Sequence, residues 1–171
     1  MDKEVFLIDQ VYEDVLFDTL VSVSKSVIKT SGWDEDFGRY GIATPDGPKG
    51  SFLIPYHESL VPLARDIFKS DTLLPTYALL VHYESDKADL LKHKDSNACT
   101  YTIDICLYQN TPWPLWIEGK PYTLEENQAV GFYGEEQLHW REQFPNPETN
   151  EVGMLFLHFV EPDHWWFNEN N

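Results

Sequence analysis

Cations, cysteines and long apolar runs are all scarce in this chain. Twelve Lys and Arg face 29 Asp and Glu across 171 residues, for a formal net charge of −17 at pH 7. Proteins that hold duplex nucleic acid or an anionic membrane surface neutralise phosphates with Lys and Arg, so neither partner suits this composition. The shortage is steepest in the second half. Beyond Lys94 the only cations are Lys120 and Arg141, against thirteen carboxylates from Asp95 to Glu169. Only Cys99 and Cys106 are present and CxxC is absent, so no disulfide framework is implied and both are expected as buried small side chains. Such cysteine usage suits a reducing cytosol, and a cytoplasmic location is expected. No run approaches 18 consecutive apolar residues, so no membrane-spanning helix is expected. The opening MDKEVFLIDQ lacks the basic start and apolar stretch of a secretory signal. Internal repeats, low-complexity tracts and obvious linkers are missing too.

What is present is material for one core. Hydrophobic residues make up 42% and aromatics 15%, which argues against disorder, and the length fits a single domain over 1–171. Residues 11–30 carry Val11, Val15, Leu16, Leu20, Val23, Val27 and Ile28, the stripe of a helix packed on something. SGWDEDFGRYGIATPDGPKG, residues 31–50, is rich in Gly, Pro and Asp and reads as a loop whose composition would suit a lid. A second short helix is predicted over 58–69. From Tyr77 onward the chain becomes short β-prone runs separated by turn residues: YALLVHY, ACTYTIDICLYQ, PLWIEGKPYTL, QAVGFYG and GMLFLHFV. WIEGKPY is a hairpin with Glu118-Gly119 as its tight turn. The pattern predicts a mainly β fold with flanking α-helices, a jelly roll with the N-terminal helices on its outside. The division is 1–76 as helical support and loop, 77–161 as the β core, and 162–171 as a tail that folds over the barrel or frays.

The stretch LLKHKDSNACTYTIDICLYQN sets His93 and Asp95 one residue apart before a strand-forming run. Alternate residues of a strand point to the same side, so the pair can share one divalent ion. Alone, HxD is a weak motif. His139 lies 44 positions after Asp95, in YGEEQLHWREQF, where a barrel can bring it back beside the pair. Two histidines and one carboxylate with positions left open form the facial arrangement of non-haem Fe(II) sites. Tyr83 ends the preceding predicted strand.

Over roughly 77–161 these features resemble the iron(II)- and 2-oxoglutarate-dependent oxygenases, particularly the prolyl-hydroxylase-like branch. The resemblance rests on the Tyr83 strand, His93-Lys94-Asp95, the hairpin, the AVGFYG run, His139 and the last strand GMLFLHFV; residues 1–76 carry no recognisable match. It implies a double-stranded β-helix, the cupin-like jelly roll. It also implies Fe(II) held by His93, Asp95 and His139, with 2-oxoglutarate chelating two further positions and molecular oxygen taking the last. Decarboxylation of the co-substrate would then drive hydrogen abstraction from a small molecule, an amino acid or a peptide side chain. Members that halogenate replace the carboxylate ligand, so Asp95 favours hydroxylation.

One departure from the pattern matters. The family usually holds the distal carboxylate of 2-oxoglutarate with an Arg or Lys about ten residues after the distal His, and PNPETNEVGML has neither. A guanidinium matches a carboxylate in two hydrogen bonds. If HWR is extended, Arg141 shares a face with His139, so Arg141 is the expected substitute anchor, or a clamp on an acidic substrate, with Tyr83 donating a hydrogen bond. His158, alternating with Phe156 and Val160, either lines the pocket or sits as a hydrogen-bonded core histidine. Trp113, Trp116, Trp140, Trp165 and Trp166 are expected in core or rim positions, Trp140 nearest the metal. Lys120, in the hairpin turn, is expected in solvent. Two other readings stay open: a cupin-like metalloenzyme that uses no 2-oxoglutarate, and a non-catalytic β-sandwich binding module in which the three residues are merely hydrogen-bonded.

Overall fold

The computed structural model describes residues 3–169. The chain runs β1 (Phe6–Ile8), α1 (Asp14–Val27), β2 (Trp33–Asp34), β3 (Arg39–Ala43), α2 (Ile54–Ser59) and α3 (Val61–Phe68), then β4 (Leu74–Tyr83) and β5 (Leu90–His93). It continues through β6 (Tyr101–Gln109), β7 (Leu115–Ile117), β8 (Lys120–Tyr122), β9 (Ala129–Phe132), β10 (His139–Arg141), β11 (Val152–Val160) and α4 (Trp166–Glu169). Among the described residues the strands form a seven-stranded sheet, β1-β9-β6-β11-β4-β3-β2, and a four-stranded sheet, β5-β10-β7-β8, antiparallel throughout. Facing sheets built from β4 onward make the expected double-stranded β-helix.

Alternation along β11 explains its unbroken apolar run. Val152, Met154 and Phe156 join Leu115 and Ile117 of the small sheet in one core cluster, while Leu155, Leu157 and Phe159 pack with Phe17 and Leu20 of α1 and Ala64 and Phe68 of α3 in another. Both faces of β11 are therefore buried, and no polar side is needed. β6 follows the same rule: Ile103, Ile105 and Leu107 face the helices, and Cys106 faces the barrel. The two other inward residues of β6, Thr102 and Asp104, are polar and buried. Their partners on β11 are His158 and Phe156.

The expected loop over 31–50 is corrected. β2 and β3 form a hairpin, and β3 pairs with β4 from Arg39 opposite Tyr83 to Ala43 opposite Leu79. The Gly and Asp content serves the turn: Oδ1 of Asp34 accepts from the N–H groups of Asp36 and Phe37, and Gly38 takes φ +59°. Residues 1–76 thus supply three strands as well as helices, because the free edges of β9 and β4 offer unpaired backbone groups that β1 and β3 satisfy. The helix predicted over 58–69 begins earlier, at Ile54, and is broken at Leu60, with Pro62 opening α3 where its missing N–H costs nothing. The hairpin is as read from the sequence. Glu118 and Gly119 take φ of +48° and +79°, the sign that a two-residue turn of this twist requires, and Ile117 pairs with Lys120. Lys120 is exposed. Of the tail, Trp166 stacks on Tyr77 at 5.7 Å, and residues 170–171 lie outside the described residues. Among the described residues no helix is long and apolar enough to cross a membrane.

Candidate metal centre and cofactor pocket

β5 and β10 are neighbours in the small sheet, and their register puts His139 directly opposite His93. The two rings sit 4.2 Å apart. Asp95 follows the end of β5, where its N–H donates to the carbonyl of Gly134 at 2.9 Å. Oδ1 of Asp95 then lies 3.4 Å from Nε2 of His93 and 3.4 Å from Nε2 of His139. Two ligand atoms each about 2.1 Å from one ion and at right angles are about 3 Å apart, so the spacing suits a shared metal. In both histidines Nδ1 is taken by a backbone carbonyl: Leu91 at 2.8 Å for His93, Gln137 at 2.9 Å for His139. These bonds fix the tautomer with hydrogen on Nδ1 and leave both Nε2 lone pairs directed at the common point. Burial opposes ionisation of Asp95, but His139 and then His93 outweigh it and hold the carboxyl well below the usual range. Asp95 in turn raises the His93 pKa.

Gly134 is part of this construction. A Cβ placed on it would meet Oδ2 of Asp95, the Cys99 carbonyl and Oγ1 of Thr102. Only glycine lets the 133–134 backbone lie against the carboxylate it supports.

A cavity of about 260 Å³ opens beside the three residues and takes in Arg141, Asp104, His158, Arg39 and Lys94. Of the six side chains expected at the site, five line it: His93, Asp95, His139, Arg141 and His158. Tyr83 does not. Its ring packs edge-on against Trp113 at 4.8 Å, and its hydroxyl accepts from Nη1 of Arg39 at 3.0 Å, so its expected hydrogen bond to a co-substrate is corrected to one that orients Arg39. His158 is buried, with Nδ1 3.0 Å from Oγ1 of Thr102, and burial brings its pKa down to about 4 despite the opposing charge of Asp95. Donor atoms of Asp95, Cys99 and His158 also lie within 4.8 Å of one another. Burial pushes the Cys99 thiol up to about 11, which keeps it neutral beside the Tyr77 hydroxyl at 3.1 Å. Both cysteines are free and buried, as expected.

Arg141 is 4% exposed. Its Nη1 donates to the carbonyl of Trp113, and the guanidinium lies 4.9 Å from the centre of that indole ring. Burial lowers its pKa, with Tyr83 and Asp104 opposing. Asp104 is pushed up to about 7 by burial, against the pull of Arg141. Trp140 does not line the cavity beside the three candidate ligands. On β10, His139 and Arg141 point inward and Trp140 outward, where it stacks on Trp116 at 5.8 Å under the ammonium of Lys92. The parity that aligns Arg141 with His139 sends the residue between them to the opposite face.

Asp104 and Arg39, two charged residues of the cavity wall, escaped sequence reasoning. Asp104 had a usable signal, a lone carboxylate inside the apolar run TYTIDICLY. Arg39 had a fainter one: the chain holds only three arginines, Arg39, Arg65 and Arg141.

No family model and no curated protein matches this sequence. Solved structures do match, over nearly the whole chain. One is SnoK, a non-heme alpha-ketoglutarate-dependent carbocyclase from nogalamycin biosynthesis, with TM-score 0.75 and 10% identity over 93% of this chain and 80% of that one. Another is a prolyl-4-hydroxylase from Pseudomonas putida, with TM-score 0.71 and 14% identity over 92% of each chain. A viral collagen prolyl hydroxylase from Paramecium bursaria Chlorella virus-1, solved with 2-oxoglutarate, matches with TM-score 0.63 and 11% identity over 92% of this chain and 95% of that one. The fold is that of the iron and 2-oxoglutarate oxygenases. On this double-stranded β-helix the two histidines and the aspartate occupy adjacent strand ends at one mouth of the barrel, and Arg141 lies along the same inward face of β10 as His139.

Proposed function

We propose that this protein is a non-haem Fe(II) and 2-oxoglutarate-dependent dioxygenase that hydroxylates a small molecule or a peptide side chain. The observation that carries the reading is the convergence of His93, Asp95 and His139, with both Nε2 atoms 3.4 Å from one carboxylate oxygen, in a cavity that also contains a buried arginine. Fe(II) at these residues, with O2, would supply the oxidation of a substrate C–H bond coupled to conversion of 2-oxoglutarate to succinate and CO2. The donor set fits that metal: two imidazoles with the correct nitrogen free and one ionised carboxylate, with other positions open to a bidentate co-substrate.

The remaining side chains have roles consistent with the reading. Arg141 offers paired N–H donors to the distal carboxylate of 2-oxoglutarate, and Trp113 holds the guanidinium in orientation through its carbonyl and ring. Phe132, edge-on to His139 at 4.9 Å, keeps water from one side of the imidazole. The neighbours named above include hydroxylases and a carbocyclase; retention of Asp95 as a third protein ligand favours hydroxylation over halogen transfer here.

A cupin-like metalloenzyme using no 2-oxoglutarate is the second reading, favoured by Asp104, which competes with any dicarboxylate for Arg141. Anaerobic titration with Fe(II) and then 2-oxoglutarate separates the two. A weak visible charge-transfer band at saturating 2-oxoglutarate supports the oxygenase, whereas iron binding without a band rejects it.

A further inference from the structure

We propose that Arg39 binds a carboxylate of the substrate, and that the substrate is a carboxylic acid without a free ammonium group, such as an N-acylated amino acid. The inference rests on the oxygenase reading and assigns the substrate class of that same cavity. Arg39 enters it from β3, next to the edge strand β2 of the large sheet, whereas Arg141 enters from β10 of the small sheet. Tyr83 accepts from one Nη1, and the guanidinium lies 4.5 Å from the centre of the Phe37 ring, so two aromatic residues set its orientation. Among the described residues no carboxylate lies within 4.0 Å of it, although the chain carries 29 acidic residues. Five N–H donors with one phenol oxygen as partner leave a fork open toward the cavity.

Charge matching separates its role from that of Arg141. With Fe(II) and 2-oxoglutarate bound, the ion and Arg141 are balanced by Asp95 and the two carboxylates of the co-substrate. Among the described residues no ion pair joins Asp104, the other acid lining the cavity, to Arg39, so Arg39 stays unmatched. Lys94, exposed at the rim, adds charge of the same sign. A substrate carboxylate completes the balance. An ammonium group would face two charges of its own sign, Arg39 and Lys94, with Asp95 committed to the metal. The volume of about 260 Å³ lies below the ~300–1,000 Å³ typical of drug-sized ligands, which restricts the buried part of the substrate to something small.

The test reconstitutes the full chain with Fe(II) and measures succinate formed from 2-oxoglutarate in the presence of N-acetyl-L-amino acids and aliphatic and aromatic carboxylic acids. Each is run beside its carboxamide, with the free amino acids as a further set. At least one acid should stimulate turnover while its amide does not, and Arg39→Gln should raise the KM for that acid about 30-fold or more, Arg39→Lys less, with the KM for 2-oxoglutarate unchanged. Unchanged Fe(II) affinity reports that the variants are folded. Equal stimulation by the amide, stimulation by free amino acids alone, or no stimulation by any acid overturns the proposal. So does a weaker 2-oxoglutarate band in Arg39→Gln, which would make Arg39 the co-substrate anchor. Absence of that band in the wild-type protein is a separate result: it rejects the oxygenase reading itself, and this inference with it.

Discussion

Replacing Arg141 with Met keeps an apolar stem of similar length and removes the guanidinium. In the free protein the variant loses the hydrogen bond to the Trp113 carbonyl and the contact with its ring. A buried carbonyl left without a donor costs about 1–3 kcal/mol, partly offset because a guanidinium that is only 4% exposed no longer has to be desolvated. Asp104 also loses the charge that opposes its burial, so its carboxyl moves further up and takes a proton rather than remaining as an unpaired buried anion. The net effect on folding should be small. The effect on the co-substrate should be large, because losing one partner of a buried charge pair costs about 2–5 kcal/mol, or roughly 30-fold to several thousand-fold in Kd. Fe(II) affinity should hold, since Arg141 forms no hydrogen bond or ion pair with His93, Asp95 or His139. Anaerobic titration with Fe(II) and then 2-oxoglutarate, read at the visible band, measures both affinities in one experiment. If Arg141→Met binds iron and 2-oxoglutarate as the wild type does, Arg141 is not the anchor.

Four further outcomes are expected. Asp104, at about 7, is neutral below that pH and anionic above it, and the anion offsets the charge of Arg141 and repels the co-substrate; the Kd for 2-oxoglutarate should therefore rise with pH through 7, Asp104→Asn should flatten the profile, and a slope of opposite sign refutes the assignment. Gly134→Ala should push the 133–134 backbone off Asp95 and weaken Fe(II) binding about 10–100-fold, measured by metal titration with circular dichroism as the check on folding. Trp140→Ala should leave iron and co-substrate affinities unchanged, because the indole lies on the outer face of the small sheet; a loss of either contradicts the inward and outward alternation of β10. His57, buried on α2 with Nε2 3.0 Å from the His158 carbonyl, has its pKa brought down to about 3 by burial. The fold therefore binds fewer protons there than the unfolded chain below about pH 6.5. That stability is full above 6.5 and is lost as pH falls toward 3, about 2 kcal/mol between pH 7 and 5. Urea denaturation of wild type and His57→Gln at the two pH values should show a smaller loss in the variant.

Local chemistry carried much of the reading. Glu118-Gly119 between two β-prone runs is a turn wherever it occurs, since glycine and the twist of antiparallel strands settle it within four residues. The double burial of VGMLFLHFV was visible as an apolar run with no polar face. Strand parity alone aligned Arg141 with His139, and the same parity, applied to Trp140, would have sent that ring outward. Composition misled over 31–50, where Gly, Asp and Pro were taken for a continuous loop. Gly38 and Asp34 serve one tight turn, and the residues after it take β structure because β4 has an edge to offer, which no local window contains.

The residues by themselves therefore determined the fold class, the hairpin and the set of side chains able to bind one metal, because periodicity and donor chemistry are properties of short stretches. Which side chains meet was decided by tertiary structure. The register of β5 against β10 puts His139 opposite His93, Gly134 yields the space Asp95 needs, and β3 delivers Arg39 to a cavity whose other walls are formed by strands as far along the chain as β11. Those contacts join positions tens to more than a hundred residues apart, and only closure of the two sheets over a shared core brings them together.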